Sequence, residues 1–158
     1  MRLALYQPDI PQNAAALMRL GACMGVAVEI IEPCGFVLGE RRFRRAGMDY
    51  LEAVELTCHS SWDAFEAWRH QEIGEVPRLL LLTTKGDTLY CDFTFRPDDI
   101  LLVGRESAGV ADQVREVTDA ALRVPMEEGM RSLNVTLAAA MALGEGLRQT
   151  VQFPEERP

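Results

Sequence analysis

The sequence predicts a single α/β domain, a parallel sheet covered by helices on both faces to give three layers. Three observations lead there. Unbroken apolar runs of strand length at Leu79–Leu82 and Ile100–Val103, and a third over residues 120–124 interrupted only by Arg123, have the composition of strands buried on both faces. Segments of helical periodicity alternate with these runs and with earlier strands, the rhythm of repeated βα units. The chain's 158 residues, 48% of them hydrophobic, supply one core and one domain.

In chain order, residues 3–6 form the first strand. Asp9-Ile10-Pro11 opens a helix, with Asp9 as its cap and proline in its first turn. Ala14, Leu17, Leu20 and Met24 fall on one face of that helix, and Gly25 can end it. Residues 26–31 make a buried strand halted by Glu32-Pro33, and residues 53–57 are a short strand candidate. Ser60-Ser61 caps a helix carrying Trp62, Phe65 and Trp68, aromatics that belong to a core or interface rather than to a site. The three apolar runs follow, with a weaker helix over 111–117 between the last two. A polar cluster at Arg131-Ser132-Leu133-Asn134 then opens a long apolar helix reaching about Gln149. Only the stretch from Phe153 onward reads as a loose tail.

The formal charge of −8 excludes indiscriminate binding to polyanions, whose affinity is mostly a phosphate-contact term. Arg41, Arg42, Arg44 and Arg45 nevertheless crowd into five positions without an interleaved acid, as either a solvated face or a local anion patch. Cys23, Cys34, Cys58 and Cys91 are scattered and most simply reduced, and His59 and His70 lack metal-ligand spacing, so no metal is expected. No apolar run approaches ~18 residues, and no signal peptide is legible, which predicts a cytoplasmic protein away from membranes.

Ligands of open α/β sheets sit beyond the carboxyl ends of the strands. Three such ends carry polar or glycine-rich turns here: Thr83-Thr84-Lys85-Gly86, Gly104-Arg105-Glu106-Ser107-Ala108-Gly109, and Pro125-Met126 leading to Arg131. Free N–H groups of a first helical turn, with an arginine fork beside them, suit an anionic ligand. The dinucleotide fingerprint, the phosphate loop and the serine nucleophile elbow are all missing from the sequence.

Three ordered motifs carry a resemblance. They are Pro11-Gln12-Asn13 through Arg19; Leu102-Val103-Gly104-Arg105-Glu106-Ser107-Ala108-Gly109; and Val124-Pro125-Met126 with Arg131-Ser132-Leu133-Asn134-Val135-Thr136, continuing to Glu145 and Leu147-Arg148-Gln149. With Ile31-Glu32-Pro33, Arg44 to Tyr50 and Thr83-Thr84-Lys85-Gly86, the chain resembles the SPOUT superfamily of RNA methyltransferases. It is most similar to the short, single-domain group that methylates the ribose 2′-oxygen of the tRNA wobble nucleotide, cytidine or modified uridine.

The resemblance implies a C-terminal trefoil knot over roughly 79–150, a homodimer, and S-adenosylmethionine as methyl donor, leaving S-adenosylhomocysteine. It implies a tRNA anticodon stem-loop as partner, with no role for DNA. The small residues of the last helix, Ala138, Ala139, Ala140, Ala142, Gly144 and Gly146, suit close approach of another backbone, from a partner copy or from the same chain. By position, Leu82, Gly104, Val124, Met126, Ser132 and Leu133 are implied as cofactor contacts. Arg19, Glu106, Ser132 and Asn134 are implied as catalytic. Arg41, Arg42, Arg44, Arg45, Lys85 and Arg131 are the candidates for RNA contact. Arginine is too weak an acid to be a general base, so Arg19 is expected to act electrostatically on a substrate phosphate or the developing alkoxide. The chain departs from the family pattern at Ala15, Ala16, Arg105, Val110, Ala111 and Gly144. Methylation of another RNA, or non-catalytic RNA binding, are the alternative readings.

Overall fold

The computed structural model describes residues 1–38, 53–71 and 75–155. Its centre is an all-parallel sheet, seven-stranded among the described residues: β1 (Arg2–Tyr6), β2 (Ala27–Ile31), β3 (Leu56–His59), β4 (Leu79–Leu82), β5 (Thr88–Leu89), β6 (Ile100–Val103) and β7 (Ala120–Arg123). Their spatial order is β3-β2-β1-β6-β4-β7-β5. The helices are α1 (Pro11–Met24), α2 (Trp62–Arg69), α3 (Asp112–Glu116) and α4 (Val135–Thr150), with a 3₁₀ turn at Tyr90–Asp92.

Side-chain alternation along the strands divides the core between the two faces of the sheet. Leu3 and Leu5 of β1, Val28 and Ile30 of β2, and Leu101 and Val103 of β6 point to one side and pack with Leu17 and Met18 of α1 and Ala139 and Leu143 of α4. Ala4, Tyr6, Ile100 and Leu102 point to the other, against Phe65 of α2 and Val114 of α3. This is the predicted three-layer arrangement. Phe65 sits at its centre, fully buried, with ring centroids 5.3–5.7 Å from His59, Trp62 and Trp68.

Several predicted boundaries move, for local reasons. Gly25 does close α1, in the left-handed conformation (φ 64°) that glycine adopts without strain. Val26 then donates its N–H to Gly21 O (2.9 Å), so β2 begins one residue later than expected. The expected 53–57 strand is displaced to Leu56–His59, because the register pairs Leu56 with Val28 and His59 with Ile31. Val54 is instead a buried contact in the approach to the strand. The last helix starts at Val135, so Arg131, Ser132 and Leu133 precede it rather than fill its first turn. Asp9 does not cap α1; Ile10 occupies that position without a side-chain cap. The short β5 was not anticipated, since two residues carry no readable period.

Topology departs from simple winding in the C-terminal half. β6 is inserted between β1 and β4, and β7 between β4 and β5. Residues 83–87, which join β4 to β5, therefore bridge β7: Thr83 donates to Leu122 O (2.8 Å), and a Cβ on Gly86 would stand 2.6 Å from the Leu122 backbone.

Candidate active site

Because β1, β6, β4 and β7 are adjacent and parallel, their carboxyl ends open on one side, and the turns that follow them enclose a cavity of about 600 Å³. The wall on the β4 and β7 side is largely apolar, with Leu82, Val124, Met126 and Leu133. The opposite wall is polar, with Asn13, Glu106 and Asn134.

The turn after β6 owes its shape to two glycines. Arg105 and Gly109 exchange both backbone hydrogen bonds (2.9 and 2.8 Å), folding the segment into a closed loop. Gly109 has φ 69°, and a Cβ on Gly104 would lie 2.7 Å from the Gly109 carbonyl carbon. Only glycine at 104 lets the two ends approach this closely.

That loop is clasped to the β1–α1 turn. Glu106 N–H donates to Asp9 Oδ1 (3.1 Å), and Asp9 N–H donates to Glu106 Oε2 (3.3 Å). Ser107 adds its N–H (3.3 Å) and hydroxyl to Asp9 Oδ2. From the clasp a directed chain crosses the polar wall. Asn134 Nδ2 donates to Asn13 Oδ1 (3.0 Å), and Asn13 Nδ2 donates to Glu106 Oε1 (3.0 Å). Asn134 Oδ1 meanwhile accepts from Thr136 N–H (2.8 Å) and so caps α4. One asparagine thus serves both the helix terminus and the site.

The two carboxyls of the clasp are driven apart in acidity. Asp9 is lowered from 3.8 to about 2, chiefly by its hydrogen bonding with the Glu106 side chain and further by Ser107 and the loop amides. Glu106 is raised, first by burial and then by the neighbouring Asp9 carboxyl. Asp9 therefore keeps its charge while Glu106 retains a proton to higher pH.

Every residue expected to touch the cofactor lines this cavity: Leu82, Gly104, Val124, Met126, Ser132 and Leu133. So do Glu106, Asn134 and Arg131. Arg19 is exposed on α1 and is not among the lining residues. Lys85 is exposed in the bridge over β7, beside the lining residue Thr84. Arg41, Arg42, Arg44 and Arg45 lie outside the described residues. Sequence reasoning assigned no site role to Asn13 or Asp9. The signal was present, since Asp9 and Asn13 flank the proline that starts α1 directly beyond a buried strand. Among the described residues no group of His, Cys, Asp and Glu is arranged to hold a metal ion.

A parallel α/β sheet with a closed glycine loop and an amide–carboxyl chain beside a cavity at its strand ends defines an α/β domain built to hold a ligand there. The chain belongs to the SpoU rRNA methylase family, whose sequence pattern matches residues 1–144. It is 59% identical over 147 residues to a protein from Beijerinckia indica named tRNA (cytidine(34)-2′-O)-methyltransferase, covering 93% of this chain and 90% of that one. A protein of the same name from Ancylobacter novellus is 52% identical over 153 residues, covering 97% and 95%. Among solved structures, one described as giving insight into the 2-OH methylation of C/U34 on tRNA superposes with a TM-score of 0.86, at 36% identity and 94% coverage of both chains. The SpoU methyltransferase AviRb from Streptomyces viridochromogenes, in complex with AdoMet, shares the fold with a TM-score of 0.86 at 23% identity, over 94% of this chain and 60% of that one.

Proposed function

We propose that this chain transfers a methyl group from S-adenosylmethionine to the ribose 2′-hydroxyl of the tRNA wobble nucleotide, cytidine or modified uridine 34. The observation that carries the reading is the pair of relatives bearing that activity's name, 59% and 52% identical to it along nearly their whole length. The cavity fits the cofactor on its own terms. Leu82, Val124 and Leu133 offer an apolar bed for an adenosine, Glu106 suits a cationic centre, and the buried Arg105 Nε stands without a hydrogen-bond partner among the described residues. When bound, the cofactor supplies the activated methyl group; this chain's residues do the aligning. Asn13 and Asn134 are held by the clasp at fixed orientation, with the second Nδ2 hydrogen of Asn134 left to meet a substrate oxygen. Arg19, outside the cavity of a single chain, meets the reacting ribose only where the RNA or a second protomer spans the gap.

A homodimer accords with this reading. Leu137 and Met141 form an exposed apolar strip along α4, continued by the exposed Leu133 just before the helix, and a Cβ on Gly144 would meet open space. Gly146 faces inward instead, against Met1 and Phe95 of the same chain. The bridge of residues 83–87 over β7 supports a knotted C-terminal half. Lys85 and Arg131 are assigned to RNA phosphates, and the protein to the cytoplasm. The family's description as rRNA methylases favours one second reading, the same chemistry on ribosomal RNA. Methyl transfer from labelled S-adenosylmethionine to tRNA lacking wobble methylation, mapped by mass across the anticodon loop, and in parallel to unmethylated ribosomal RNA, tests both. Label at the wobble ribose is expected; label on ribosomal RNA alone selects the second reading.

A further inference from the structure

Arg105 stands where the family pattern favours proline, and its side chain takes no part in the network above. It lines the cavity, and its Nε is shielded from solvent yet has no hydrogen-bond partner among the described residues. The nearest acid in sequence is already committed, since both oxygens of Glu106 accept hydrogen bonds from Asp9 N–H and Asn13 Nδ2. The root of the side chain is fixed, because Arg105 N–H and C=O are both locked to Gly109. A guanidinium held this way, with a desolvated donor unsatisfied, is a preorganised site for a small oxyanion.

We propose that Arg105 binds the carboxylate of the cofactor's amino-acid end. The inference rests on the cofactor reading above and adds a residue to it. Position selects this anion over an RNA phosphate. Arg105 is half-buried in the cavity wall between Gly104 and Glu106, where it meets a group that enters the cavity, whereas a nucleic-acid backbone passes over the mouth, where Arg131 is exposed. A carboxylate also matches the guanidinium fork in two parallel hydrogen bonds, and lysine cannot reproduce that geometry.

The test is calorimetric binding to the full chain of S-adenosylmethionine and of its decarboxylated analogue, for wild type, Arg105→Met and Arg105→Lys. Wild type is expected to bind the analogue about 10- to 100-fold more weakly than S-adenosylmethionine, the range for a charge-assisted hydrogen bond. Arg105→Met is expected to lose the same factor for S-adenosylmethionine and to bind the two ligands alike. Arg105→Lys should recover only part of the discrimination. The wild-type comparison of ligands stands even where a variant folds poorly. Undiminished discrimination in Arg105→Met overturns the proposal. So does unchanged cofactor affinity with a raised KM for tRNA, which would assign the guanidinium to an RNA phosphate. A wild-type chain that binds neither ligand refutes the cofactor reading itself, a distinct outcome.

Discussion

Asn134 performs two tasks that can be separated by choice of substitution. Its Oδ1 caps α4 at Thr136 N–H and its Nδ2 holds Asn13. Asn134→Ala removes both, at about 1 kcal/mol for the cap and about 1 kcal/mol for the side-chain hydrogen bond. For a chain of this size, a loss of about 2 kcal/mol lowers Tm by about 4–8 °C. Asn134→Ser keeps a good cap residue but is too short to reach Asn13, so only about half of that stability loss is expected. The two variants should nevertheless share the same defect in turnover. Asn13 is tied to Asn134 on one side and Glu106 on the other, and slack in an aligning group costs about 100-fold in rate. The assay is single-turnover methyl transfer to saturating tRNA, with thermal unfolding of each variant alongside. A serine variant that turns over like wild type while keeping its fold would refute a positioning role for the Asn13–Asn134 contact and leave Asn134 a helix cap only.

Other substitutions probe neighbouring parts of the argument. Asp9→Asn removes the carboxyl that, after burial, raises the pKa of Glu106 above its ordinary value, so the acid limb of the kcat–pH profile should move to lower pH. Because Asp9 is lowered from 3.8 to about 2, the stability it contributes is present above 3.8 and lost as pH falls through about 2. The Asp9→Asn variant should lack that component of the acid-unfolding curve. Gly104→Ala places a methyl group against the Gly109 backbone and should weaken S-adenosylmethionine binding at least about tenfold by calorimetry, the equivalent of ~1.4 kcal/mol of loop distortion. Phe65→Ala empties the centre of the α2 side of the core and should cost about 3–5 kcal/mol in denaturant unfolding, with cofactor affinity unchanged in the folded fraction.

The layers and most strands were legible because both-face burial writes an unbroken apolar run, as at Leu79–Leu82 and Ile100–Val103. What periodicity could not carry was the order of strands. The placement of β6 beside β1 and of β7 beneath residues 83–87 depends on long-range packing that no local pattern records. At the site, residues presenting themselves through type and position, such as Gly104, Leu133 and Asn134, were readable. Asp9 was misread as a cap because an aspartate before a helix ordinarily caps it. Here the amides of Glu106 and Ser107, distant in sequence, compete for its carboxylate and win.

The insertion of β7 between two strands already joined also bears on synthesis. The N-terminal strands β1, β2 and β3 are neighbours in chain order and can pair while the ribosome is still at work. The cavity draws on residues far apart in sequence, from Ile10 and Asn13 to Val135 and Ala138. A nascent chain released before its last helix therefore has a sheet without a complete pocket. Competence to bind ligand arrives only once the start of α4 has been made, so ligand occupancy distinguishes chains that carry α4 from those that stop before it.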